Sequence, residues 1–194
     1  MKTSTKLVTL ALILSTILAL PFVFGCSSPG LEAEEIAQIL DGLLPNARQV
    51  AIAIYGEGLP TEQVFTPEEI ADMRGVNRYA VSREAVFPTR EAMNNAVNAV
   101  FTTREAANLM SDAFVGVAAR FYVDRHGVFK INVNHGAPLA ILQSIDTSSV
   151  RDITGRSARV EFLVDAVHQD GTETSVSIAL ALENGRWLLD GPAF

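Results

Sequence analysis

Residues 159–189 read RVEFLVDAVHQDGTETSVSIALALENGRWLL, and their alternation decides the fold. Val160, Phe162, Val164 and Ala166 fall on one side of an extended chain, opposite Glu161, Leu163, Asp165 and Val167. Thr174 to Leu182 alternates more cleanly still, with Val176, Ile178, Leu180 and Leu182 against Ser175, Ser177, Ala179 and Ala181. Gln169-Asp170-Gly171-Thr172 forms the turn between the two runs. Asn184-Gly185 is a two-residue turn signal leading into Arg186-Trp187-Leu188-Leu189, because both turn residues tolerate positive φ. The segment therefore predicts an antiparallel meander, with the single tryptophan, Trp187, as a core anchor.

Upstream the same period appears in Phe121-Tyr122-Val123 and Val128 to Val133, flanking a hairpin turn at Asp124-Arg125-His126-Gly127. Before that the period is helical. Ala92, Met93, Ala96, Val97 and Val100 share one face after Phe87-Pro88-Thr89, with Arg90, Glu91, Asn94, Asn95 and Asn98 facing away. Thr102-Thr103-Arg104-Glu105 has the spacing of a capping box, in which Glu105 reaches back to the Thr102 amide. Ala106, Leu109, Met110, Ala113 and Phe114 line the helix that follows. Nearer the start, Leu31 to Leu44 predicts a helix ending near Pro45. Gln49 to Tyr55 predicts a strand, and Thr66-Pro67-Glu68-Glu69 opens a short helix running to Met73. Helices followed by a meander give an α+β fold, with the helices packed on one face of a curved antiparallel sheet.

The first 30 residues have a different character. Met1 to Lys6 carries two positive charges and no acid, and Leu7 to Phe24 is almost wholly apolar, diluted by Thr9, Ser15 and Thr16 and interrupted by Pro21. That is a secretory signal layout, with a membrane span as the alternative, since the run approaches the length that crosses a hydrocarbon core. It ends at Cys26, the only cysteine, with Val23 three positions before it and Gly25 directly before it, which resembles a bacterial lipobox. The resemblance implies that residues 1–25 are removed, that the Cys26 thiol becomes a lipid thioether, and that residues 26–31 form a tether to a single domain over residues 32–194. Such a protein is held at a membrane on its extracytoplasmic side. With no second cysteine, its fold rests on its core and not on a disulfide.

Beyond residue 25, 13 Lys and Arg stand against 22 Asp and Glu, a formal charge of −9. Nucleic acid, whose phosphates need a basic footprint, is thereby disfavoured as a partner. Neither a G-x-S-x-G nor a G-x-x-x-x-G-K pattern occurs. His126, His135 and His168 lie in or beside turns without metal-ligand spacing, so no metal or cofactor is expected. His135 has the most ligand-like setting, in Asn132-Val133-Asn134-His135-Gly136. Glu161 and Asp165 face the same way, but on a mixed surface that also holds Leu163 and Val167. An enzyme on this fold would need a tyrosine from Tyr55, Tyr79 or Tyr122 converging with an acid or histidine in a cavity. No catalytic residue is assigned, and a non-enzymatic protein is expected.

Tyr79, the capped helices after Phe87-Pro88-Thr89 and Val100-Phe101-Thr102-Thr103, the aromatic hairpin Phe121 to Phe129, and the strands Val160 to Val164, Val176 to Leu180 and Glu183 to Trp187 together carry a family likeness. They resemble the IseA-type extracytoplasmic inhibitors of D,L-endopeptidases and, more broadly, the cystatin-like and nuclear-transport-factor-like α+β sheets, over roughly Tyr79 to Leu189. The resemblance implies a protein that docks on NlpC-type cell-wall hydrolases and blocks their cleft, so the expected partner is an envelope protein. Those inhibitors are often secreted without a lipid, and nothing here matches a definite inhibitory loop, so no contact residue is carried over. The alternative from the same elements is an envelope accessory domain that binds a small apolar ligand or assembles with another envelope protein. If the lipobox reading holds, Cys26→Ser abolishes incorporation of radiolabelled palmitate and moves the chain from the membrane pellet to the supernatant; continued labelling would refute it.

Overall fold

The computed structural model describes residues 30–63, 79–115, 119–124, 129–131 and 141–191. Cys26 with the expected leader, the expected helix at Thr66–Met73, and His126 and His135 lie outside them. Three helices and two four-stranded antiparallel sheets make up the described part, an α+β fold with the helices mostly N-terminal to the strands. No described helix is long and apolar enough to cross a membrane.

Helix α1 (Ala33–Ile54) starts at Glu32, whose amide donates to the Glu35 carboxylate at 3.0 Å in a reciprocal capping box. It does not stop at Pro45, and the strand expected at Gln49–Tyr55 is its last two turns. Ile36, Leu40, Ala47, Val50, Ala51 and Ile54 are all buried, at helical steps that run straight past the proline. Pro45 itself is exposed. An interior proline forfeits one hydrogen bond and costs about 3 kcal/mol. The apolar stripe beyond it offsets this, since each fully buried aliphatic side chain contributes about 1.5–3 kcal/mol. A short β-branched run cannot be told from a buried helical segment by periodicity.

The C-terminal end of α1 has no basic residue in its last turn. Its carbonyls are taken instead by the Tyr55 and Gly56 amides on Ala51, by the Gly58 amide on Ile52, and by Arg120 Nη1 on Ile54 at 3.1 Å. Arg120 thus supplies from a distance the positive charge that the helix dipole favours there. Its side chain is buried, and desolvation lowers its pKa from the ordinary arginine value. Gly58 lies against this guanidinium at φ +91°, where a Cβ would sit 2.7 Å from Nη2.

Helices α2 (Arg90–Val100) and α3 (Thr103–Phe114) appear where the amphipathic pattern puts them, burying Met93, Val97, Val100, Ala106, Leu109 and Ala113. Thr89 caps α2 by accepting from the Ala92 amide at 3.0 Å. Thr102 accepts from the Glu105 amide at 3.3 Å, which is one half of the expected box. The other half is replaced. The Thr102 amide donates to the Leu189 carbonyl at 2.9 Å, so the link between the helices closes a sheet edge.

The strands form two sheets where one was expected. Strands β1 (Thr61–Gln63), β2 (Tyr79–Val81), β3 (Phe121–Val123) and β4 (Phe129–Ile131) make one, in the order β1-β2-β4-β3. The aromatic hairpin belongs here, with Tyr122 opposite Lys130. Lys130 is buried and pairs with Asp124 at 3.0 Å. Strands β5 (Leu142–Arg156), β6 (Arg159–His168), β7 (Glu173–Glu183) and β8 (Arg186–Leu189) form the other in sequential order. The long strand β5 is absent from the sequence reading.

Within the second sheet Val160 faces Leu180, Phe162 faces Ile178 and Val164 faces Val176 on the inner side. The 184–185 turn has φ of 52° and 77°, as a tight two-residue hairpin requires. Trp187 is half-buried and packs on the core, while Leu182 beside it is exposed at the rim. One continuous core joins these residues to Phe121 and Phe129 of the other sheet and to all three helices. Because the Asp41 carbonyl lacks a donor at position 45, Pro45→Ala is expected to stabilise the fold by about 1–3 kcal/mol. Urea unfolding followed by circular dichroism measures this, and an unchanged or lower midpoint would contradict the account.

Candidate functional site

Residues on the outer side of the second sheet form ordered polar rows. Arg151 Nη2 donates to Asp165 Oδ1 at 2.6 Å and to Ser175 Oγ at 2.7 Å, and Ser175 Oγ donates to the same carboxylate oxygen at 3.0 Å. The three residues come from adjacent strands and remain solvent-exposed or nearly so. Arg151 owes its place to irregularity in β5. Asp146 pairs with Asp165 and Arg151 with Leu163, so residues 147–150 leave the ladder between them.

That excursion is stapled from within. The Ser148 amide and hydroxyl both donate to Asp146 Oδ1, at 3.0 and 2.6 Å, and the Ser149 hydroxyl donates to the Asp146 carbonyl at 2.6 Å. Ser149 Oγ also accepts from the Asp165 amide at 2.7 Å, taking the place of a ladder carbonyl. The hydrogen bonds from Arg151 and then Ser175 hold the Asp165 carboxyl below the usual carboxylate range.

A second network lies at the other end of the face. Asp190 accepts from Arg159 Nε at 2.9 Å, from Arg104 Nη2 at 2.9 Å and from Thr102 Oγ1 at 3.0 Å. Burial pushes its carboxyl up, but the bonds from Arg159 and Thr102 and the two guanidinium charges outweigh that and leave it below the usual range. The same hydrogen bond with Asp190 raises Arg159. Glu161 accepts from Ser177 at 2.9 Å and, at 3.4 Å, from Arg159. Glu183 accepts from the amide and hydroxyl of Thr103 at 3.0 and 2.9 Å, placing an acid at the start of α3, where the dipole favours it.

An open groove of about 380 Å³ runs between α1 and β5. Asp41, Leu44, Pro45 and Arg48 form its helix wall, and residues 142–145 with Thr147 form the strand wall. Leu142 pairs with His168 and Ile145 with Ala166, and these partners share one side of β6. The register shift between Leu142 and Ser144 therefore aims two apolar β5 side chains in one direction. Thr147 Oγ1 donates to Asp41 Oδ1 at 2.7 Å across the groove.

Among the described residues, those singled out in the sequence do not assemble into a catalytic group. Glu161 and Asp165 share a face but stand four residues apart, about 13 Å along the strand, each with its own arginine and serine. Tyr55 donates to Asp112 at 2.7 Å, and burial followed by this bond raises its phenol above the ordinary value. Tyr122 shares a row with Lys130 and Ala80, so Tyr79, next to Ala80, points to the opposite face of that sheet. His168 is half-buried and its backbone closes the turn after β6, accepting from Gly171 and donating to Thr172. Among the described residues no group of three or more His, Cys, Asp or Glu could hold a metal ion.

Arg151, Arg104 and Asp190 are contributors that sequence reasoning missed. Their signals are weak, since Arg151 sits in a strand whose bulges break the two-residue period, and the other two meet across 86 residues. No family model matches the chain, and a search of curated proteins finds no match.

The depressed Asp165 and Asp190 carboxyls contribute stability that is complete above the unfolded aspartate pKa, about 3.9, and is lost as pH falls through the lower folded values. Stability should therefore decline below about pH 4. Asp190→Asn, which removes three charge-assisted bonds, should lose about 1–3 kcal/mol at neutral pH and show a flatter acid limb. Denaturant midpoints from pH 2 to pH 7 check both, and an unchanged acid limb would argue against the assigned role of Asp190.

Proposed function

We propose that this chain is a lipid-anchored extracytoplasmic binding protein that docks on an NlpC-type peptidoglycan D,L-endopeptidase and restrains its cutting. The observation that carries the reading is the outer face of β5–β7, where exposed arginines, carboxylates and serines are already held by one another on a rigid sheet. A surface ordered in advance loses little side-chain entropy when a partner covers it. Inhibition of this kind needs no chemistry of the inhibitor's own, only a shape that fills the entrance of a catalytic cleft.

Charge and tethering add to the argument. A mature charge of −9 steers the domain toward a basic or polar surface and makes encounter dependent on salt. A lipid at Cys26 would raise the effective concentration of the domain near envelope enzymes. The groove beside α1 is open, whereas sites that bury a small apolar ligand enclose most of its surface. This favours a macromolecular partner over a small apolar ligand.

The test is a peptidoglycan digestion assay with each NlpC-type D,L-endopeptidase of the same cell and the full chain in lipid nanodiscs. Cutting should fall with dose, less steeply as salt rises. Ser177→Arg, which thrusts a long side chain from the middle of the outer face, should weaken inhibition about tenfold, equivalent to about 1.4 kcal/mol. Unchanged cutting by all of these enzymes would sink the reading.

A further inference from the structure

Strand β5 is the first strand of its sheet, paired with β6 on one side and, among the described residues, with no strand on the other. An edge strand carries a row of backbone donors and acceptors that fit another extended chain. Much of β5 is spoiled for that purpose by its bulges and by the excursion at 147–150. The stretch Ser144 to Asp146 stays in register with β6, and it forms part of the groove wall opposite α1.

The helix wall complements such a chain. Leu44 and Pro45 face Leu142 and Ile145 across the groove and provide apolar contact on both sides. Pro45 has no amide hydrogen, so the Asp41 carbonyl at the groove lacks its helical donor. The two charged side chains in the wall differ in what they already do. The Asp41 carboxylate is engaged by Thr147, whereas Arg48 makes no hydrogen bond or ion pair among the described residues. The uncommitted charge beside an apolar floor is positive, in a chain that is otherwise strongly acidic.

From this we infer that the α1–β5 groove is a peptide-docking site: it takes an extended segment of a partner protein, with apolar side chains on one side and a carboxylate that meets Arg48, added as a fifth strand alongside β5. The groove wall from Leu142 to Thr147 sets its length at about six residues, or about 20 Å of extended chain, of which those opposite Ser144 to Asp146 pair with β5. Backbone hydrogen bonds to β5 supply affinity without regard to sequence, and Leu44, Ile145 and Arg48 select the side chains. The bulges limit pairing to this short stretch, which keeps the edge from recruiting longer strands. The inference is independent of endopeptidase inhibition, which is placed on the outer face.

The experiment displays random heptapeptides to the full chain in lipid nanodiscs, with counter-selection on empty nanodiscs. Enriched peptides are then synthesised for titration and for mapping amide chemical shifts. Enrichment of sequences that combine apolar residues with Asp or Glu is expected, with shifts confined to residues 41–48 and 142–147. Arg48→Glu, an exposed position, should weaken binding at least tenfold, and replacing the peptide acid with Lys should restore most of the loss. The inference is overturned if no peptide is enriched beyond empty nanodiscs, if the shifts map elsewhere, or if neither charge change alters affinity. It is equally overturned if sedimentation shows the groove already filled by a second copy of the chain, or if fatty acid alone reproduces the shift map while peptides do not. Loss of peptide binding in Arg48→Glu with endopeptidase inhibition intact would separate this site from the outer face.

Discussion

The helix layer and the meander are locked together at one seam, where the link between α2 and α3 runs beside β8. Phe101 is buried in the core and bridges to Leu189, the Thr102 amide bonds the Leu189 carbonyl, and the Thr102 hydroxyl meets Asp190. Asp190 then reaches Arg104 on α3 and Arg159 on β6. A sheet edge that would otherwise face water is thereby closed, and the charged end of the outer face is fixed relative to the helices. The position of Arg159, and through it of Glu161, depends on that seam.

The two ends of the sheet are treated in opposite ways. Strand β8 is short and covered by the interhelix link, whereas β5 is long and has no further strand beside it among the described residues. Natural sheets blunt exposed edges with bulges and charges, and β5 has both, including Arg151 and an Asp152 at φ 52°. What remains regular lies beside α1, where the groove is. The asymmetry gives the described part of the molecule one edge that holds it together and one edge that is unpaired.

Much of this was legible in the sequence. The alternation of residues 159–189 yields β6, β7 and β8 with the inward side chains correct except for Leu182, which is exposed at the rim, and the caps at Thr89 and Thr102 mark the starts of α2 and α3. Where the reading failed, a distant partner had decided the local structure. Pro45 ends a helix on local rules, but the stripe from Ala47 to Ile54 needs the helix to continue into the core. β5 escaped notice because its register shifts erase the period that identifies a strand, and the aromatic hairpin shows no sign of which sheet it will join. The candidate sites were less visible than the fold. The groove arises from one bulge and one proline on segments about 100 residues apart, and no local pattern announces that they meet.

The cap on α1 bears on the order in which the chain matures. Ile54, near the beginning of the domain, has its carbonyl satisfied by Arg120, and α1 packs against β5 and in the same core as Leu189. A chain emerging from its N-terminus can form the start of α1 early, aided by its capping box. The last turn lacks its cation until 66 further residues have appeared, and the stripe of α1 lacks its covering sheet until β8 arrives. With so many of its contacts distant in sequence, closure is slow relative to helix formation. The native domain is thus completed only once nearly the whole chain is free, so a partly synthesised chain holds the start of α1 with its apolar stripe still uncovered.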